Sequence, residues 1–130
     1  MTRTTEDVFA LSDIRRVPKP WGYELIFAKT DRYVGKILHV NRGQSLSLQY
    51  HEVKDETLFV VSGELRLTIE WEGDRREMPL REGEAFHIRP RMIHRMEAVS
   101  DTDVAEVSTT ELDDVVRLED RYGRAGTSKP

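Results

Sequence analysis

The chain has 130 residues, no cysteine, and 24 acidic against 20 basic side chains, for a net charge of −4. That length suits one domain with a real core. The charge argues against nucleic acid as a partner, and the absence of cysteine excludes disulfides and thiolate chemistry.

From Met1 to Lys19 the sequence is polar and reads as a loose arm, with a short helix expected around Glu6–Leu11. No apolar run there reads as a signal peptide, and no segment approaches the roughly 20 apolar residues of a membrane helix. A cytoplasmic protein without a membrane partner is expected. The division is residues 1–17 as an arm, 18–124 as one domain and 125–130 as a tail.

From Trp21 the pattern has period two. Trp21–Ala28 and Arg32–Val40 read as strands, followed by a turn at Asn41–Gly43 and strands at Leu46–His51 and Thr57–Ser62. Leu65, Leu67, Ile69 and Trp71 alternate with Arg66, Thr68 and Glu70, which marks a half-buried strand. A hairpin turn at Glu72–Asp74 returns the chain as Arg75–Leu80. Ala85–Ile88, His94–Val99 and Val104–Thr109 complete the series. Short strands with regular turn signals predict a closed, double-sheet, all-β jelly roll. Leu112, Val115, Val116 and Leu118 suggest a short helix over Glu111–Arg121.

Gln49 and His51 stand two apart on a strand, so both point to one side. The polar run Glu52–Asp55 bends the backbone and lets Glu56 open the next strand toward the same centre. His94, further on, supplies a second imidazole. Gln49, His51, Glu56 and His94 make a mixed nitrogen and oxygen set for one divalent ion, with Zn, Mn, Fe, Co and Ni all left open. His39 and His87 match no ligand position. Arg89, Arg91 and Arg95 surround His94 without an intervening acid, which points to an anionic small molecule held in forked geometry. Trp21 and Tyr23 are expected on one strand face, either packing the barrel or stacking on a sugar ring. Glu106 lies in an apolar strand, where a carboxylate needs a partner or a role.

The stretch Gly43–Gly63, together with Gly83 and His94, resembles the two motifs of the cupin superfamily, with Gln49 at the first histidine position. Arg89 and Arg91 stand where the second motif has proline and glycine. Pro20–Glu24, Asp31–Tyr33, Gly43–Gln49, Val60–Gly63 and Val115–Arg124 further resemble the cupin domain of type II mannose-6-phosphate isomerases. That likeness runs from Pro18 to Arg124, and the Gln49 replacement is itself a mark of that family. The family's His-rich turn with its arginine is here Glu52, Val53 and Lys54, and its lysine before the second-motif histidine is Ile93.

The resemblance implies a double-stranded β-helix, a divalent ion and aldose–ketose isomerisation of a sugar phosphate. It implies Glu106 or Lys36 as the proton-transfer group, with Lys36 also a candidate anion contact. Arg89, Arg91, Arg95 and Tyr23 are the expected substrate contacts. A homodimer is expected, since cupins pair through sheet edges. The same residues leave open an Fe(II)-dependent oxygenase and a sugar-binding protein without turnover.

Overall fold

The computed structural model describes Val8 and residues 14–127. Alternating apolar residues, many of them β-branched, set strands along more than half of it. The first half runs β1 (Arg15–Lys19), β2 (Gly22–Lys29), β3 (Val34–Val40), β4 (Leu48–Tyr50), β5 (Glu56–Ser62) and β6 (Glu64–Trp71). The second half runs β7 (Asp74–Arg81), β8 (Ala85–Ile88), β9 (Ile93–Ala98), β10 (Thr102–Ser108), β11 (Val116–Glu119) and β12 (Gly126–Thr127). No helix occurs among the described residues.

Two antiparallel sheets form, in the orders β1-β2-β3-β10-β5-β8 and β12-β11-β4-β9-β6-β7. They face each other across a core that includes Leu38, Leu58, Leu65, Leu67, Ile88, Met96 and Val104, each at most 1% exposed. This is the expected all-β jelly roll. Along β6, Leu65, Leu67 and Ile69 are buried and Arg66 is exposed, as the alternation requires, but Thr68 is buried too and Trp71 is only partly buried. At one end of the sandwich the inward positions change from apolar to charged, with Lys36 on β3, Glu56 on β5 and Glu106 on β10.

Two glycines permit tight chain reversals at element ends. Gly22 opens β2 at φ +153°, and a Cβ there would meet the His39 carbonyl oxygen. Gly63 links β5 to β6 at φ +89°, where a Cβ would lie 2.5 Å from the Asp101 carbonyl oxygen.

Three expectations change. Arg15–Lys19, expected in the loose arm, is an edge strand, with Val17 opposite Glu24 on β2. The expected helix around Glu6–Leu11 lies, apart from Val8, outside the described residues. Glu111–Arg121 is not helical: it turns at Leu112–Asp113 and then pairs as β11 with β4. A free strand edge and two β-branched valines outweigh the helical spacing of Leu112, Val115 and Val116. Trp21 and Tyr23 do not share a face. Trp21 lies in the turn between β1 and β2 and is buried, whereas strand parity starts at Gly22 and turns Tyr23 away. Tyr23 instead stacks on His39, its cross-strand neighbour, with ring centroids 5.0 Å apart.

Candidate metal centre

Strand register brings the expected ligands together. In the second sheet Gln49 is opposite His94, and His94 is in turn opposite Ile69. In the first sheet Glu56 begins β5, with its side chain buried between the layers. His51 follows β4 and is also buried. One ligand atom from each of His51, Glu56 and His94 lies within 4.8 Å of the others.

The hydrogen bonds around these rings set their chemistry. His51 Nδ1–H donates to the Asp114 carbonyl at 2.5 Å, and His94 Nδ1–H donates to the Met92 carbonyl at 2.9 Å. A ring whose Nδ1 carries the proton presents a lone pair at Nε2. His51 Nε2 lies 2.9 Å, and His94 Nε2 3.4 Å, from the same Glu56 Oε1. Lone pairs of two imidazoles converging on a carboxylate oxygen repel unless a cation sits among them. His94 Nε2 and Glu56 Oε2 are both buried without a hydrogen-bond partner. These residues fit a divalent ion, with the backbone carbonyls orienting each ring as second partners of metal-bound histidines do. Gln49, on the same rung as His94, has its amide oxygen fixed by the Ser47 hydroxyl at 2.5 Å.

A buried ion-pair chain adjoins the triad. Lys54 Nζ lies 3.6 Å from Glu56 Oε2 and 3.3 Å from Glu106 Oε2. Lys36 Nζ lies 3.9 Å from Glu106 Oε2 and 3.5 Å from Glu24 Oε1. Burial alone would raise the pKa of Glu56, but the Lys54 ammonium beside it holds it well below the ordinary carboxylate value. Burial, then the Glu56 charge, pushes Glu106 up to about 7 against the pull of Lys54 and Lys36. Burial disfavours the Lys54 ammonium, yet Glu106 and Glu56 outweigh it and raise its pKa. The two glutamates are thus driven apart, one firmly ionised and one able to exchange a proton.

A cleft between the sheets opens onto this chain, lined by Trp21, Lys36, Gln49, Lys54 and Glu106 among others. Arg117 and Arg124, from the C-terminal stretch, and Lys19, from β1, also line it. The expected arginines lie elsewhere. Arg89 is exposed, Arg91 reaches Glu52 at 3.4 Å, and Arg95 reaches Glu119 at 3.6 Å. None of these three, nor Tyr23, lines the cleft. His39 bonds Asp103 and His87 bonds Asp55.

Sequence reasoning passed over Lys54, Glu24, Lys19, Arg117 and Arg124. Lys54 stands at the family's arginine-containing turn, and Arg117 and Arg124 stand in the stretch that resembles the family's C-terminal motif. Those positions were the available signal.

Residues 7–120 match the family described as Mannose-6-phosphate isomerase C-terminal. The chain belongs to that family. Similar proteins include mannose-1-phosphate guanylyltransferase ManC of Salmonella typhimurium, 40% identical over 116 residues, covering 85% of this chain and 23% of that protein. The xanthan biosynthesis protein XanB of Xanthomonas campestris is 33% identical over 115 residues, covering 85% of this chain and 24% of that protein. The chain thus spans about a quarter of the length of these relatives. Among solved structures, oxalate decarboxylase from Bacillus subtilis superposes with a TM-score of 0.74 at 17% identity, over 85% of this chain and 31% of that one. At that identity the likeness speaks for the cupin fold alone. No helix among the described residues is long and apolar enough to cross a membrane.

Proposed function

We propose that this family member is a metal-dependent isomerase of a sugar phosphate, interconverting an aldose and a ketose of the mannose 6-phosphate type. The observation that carries the reading is Glu106. This buried carboxylate faces the same cleft as Gln49 and is linked through Lys54 to the metal triad. Family membership supplies the sugar class.

Gln49, His51, Glu56 and His94 are the ligand set in this reading. A divalent ion held there supplies Lewis-acid stabilisation of charge developing on a sugar oxygen. The chain's own part is proton transfer and orientation. The Glu106 carboxylate takes the proton from C2 of the aldose and delivers it to C1, while the hydroxyl proton passes between the two sugar oxygens. Lys54 and Lys36 both pair with Oε2 of the Glu106 carboxylate. The buried walls, including Trp21, Leu38 and Met96, exclude water from the cleft.

The test is incubation of the metal-loaded chain with mannose 6-phosphate in deuterated water. Interconversion with fructose 6-phosphate and deuterium at C2 are expected, both abolished by chelation. Glu106→Gln is expected to lower kcat by about 10²–10⁴-fold with little change in KM. Absence of exchange across a panel of aldose phosphates and divalent metals contradicts the reading and favours binding without turnover.

A further inference from the structure

Arg117 is a buried cation that the isomerisation scheme does not use. It is 7% exposed and sits on β11 directly opposite Gln49, which is in turn opposite His94. Its Nε and Nη1 are buried with no hydrogen-bond partner among the described residues. A guanidinium cannot shed its charge at neutral pH, so it cannot relieve this by titrating. Buried charges and donors without partners are disfavoured unless a counter-charge meets them.

Two further cations outside the Lys36 and Lys54 ion-pair chain line the same cleft. Arg124 is oriented by Asp120, which accepts from its Nε at 3.0 Å and its Nη2 at 3.2 Å, so neither bond uses Nη1. Lys19 is half-buried and makes no ion pair among the described residues. The groups disfavour one another: burial and then Arg124 lower the pKa of Arg117. Burial also lowers that of Lys19, with Lys36, Arg124 and Arg117 adding to the effect and Glu24 opposing it. Asp120 pairs with Arg124 and also acts on Arg117, and Glu24 acts on Arg117 and Lys19, so three converging cations stand against two carboxylates, a positive pole fitted to an anion.

We infer that Arg117, Arg124 and Lys19 form a subsite for a phosphomonoester dianion in the cleft that Gln49 and Glu106 also line, set apart from the metal triad. The forked, fixed donors of Arg117 suit tetrahedral phosphate oxygens. Arg117 and His94 are separated by one intervening strand, a span of roughly 10 Å. That spacing suits a hexose phosphate lying with its carbonyl end at the metal ligands and its phosphate at Arg117. The assignment of the anion to the substrate's far end rests on the isomerase reading; the anion subsite itself rests on the geometry.

Calorimetric titration of inorganic phosphate into the manganese-loaded chain tests it, with mannose 6-phosphate and unphosphorylated mannose in parallel. Saturable phosphate binding is expected, weakened at least about tenfold in Arg117→Met and in the Lys19→Ala/Arg124→Ala double variant, with bound metal per chain unchanged. The double variant alters groups outside the core and guards against misfolding of Arg117→Met. Mannose is expected to bind more weakly than its phosphate in the parent chain, and that difference is expected to shrink in both variants. Phosphate binding lost in the variants, with no isomerisation by the parent, supports the subsite and removes only the isomerase reading. No phosphate binding by the folded, metal-loaded parent, or equal affinity in the folded double variant, overturns the subsite whatever the turnover result.

Discussion

Asp114 grips His51 through its backbone and the following turn through its side chain. Its carbonyl accepts the His51 Nδ1–H at 2.5 Å, and its carboxylate accepts the backbone N–H groups of Glu52, Val53 and Lys54. One residue from the stretch before β11 thereby fixes both the His51 ring and the turn that carries Lys54 inward. Asp114→Ala leaves the carbonyl but frees the turn. It is expected to weaken metal binding by about 10- to 100-fold and to lower stability by about 2 kcal/mol. Asp114→Asn, whose amide oxygen still accepts, is expected to lose less. Competition with a metal-sensitive dye and denaturant melts measure the two effects.

Lys54 neutralises two buried carboxylates, Glu56 and Glu106. Lys54→Met leaves them facing each other, and in metal-free protein the loss is expected to reach about 3–5 kcal/mol. A divalent ion compensates Glu56, so saturating manganese is expected to recover much of that loss. Urea melts of parent and variant, with chelator and with manganese, give the comparison. An equal loss in both conditions argues that Lys54 acts apart from the triad.

Acid stability follows from Asp120. Burial would raise its pKa, but hydrogen bonds from the Arg124 side chain and backbone, the Arg124 charge and the Tyr122 backbone N–H hold it below the ordinary carboxylate value. A carboxyl with a depressed folded pKa stabilises fully above its unfolded value, near 3.9, and loses that contribution as pH falls through the lower folded value. Melts between pH 6 and about 2 are therefore expected to show a loss of stability beginning near pH 4. The Asp120→Asn variant is expected to start lower and to lose less over that range.

Arg91 adopts φ +69° at the position where the second cupin motif has glycine. Its side chain is 77% exposed and its pair with Glu52 lies at the surface, so little is lost with it. Arg91→Gly relieves the left-handed backbone and is expected to raise stability by about 1 kcal/mol. Since Arg91 does not line the cleft, KM for a sugar phosphate is expected to stay unchanged in the same variant.

The strands were readable because a sheet with one buried face writes period two into the sequence, as β6 does through Leu65, Leu67 and Ile69. The triad was readable for a related reason: parity and motif spacing fix which way His51 and Glu56 point before the sheets close. Lys54 was not readable, because a lysine in a polar turn reads as solvated, and only the distant Asp114 clamp shows it turned inward. Arg117 was hidden for a comparable reason. Its stretch has helical spacing, and only the open edge of β4 makes it a strand with Arg117 facing the cleft. Trp21 and Tyr23 were misplaced because the two-residue turn before Gly22 resets the parity that both were assigned.

The central claim is that His51, Glu56 and His94 hold one divalent ion. The direct measurement is metal content after loading with manganese or zinc and exhaustive dialysis, for the parent and for a His51→Ala/Glu56→Ala double variant, with folding checked by far-UV circular dichroism. The account predicts about one ion per chain in the parent and none in the folded double variant. Full occupancy in the double variant, or a parent that takes up no ion under any loading condition, contradicts it.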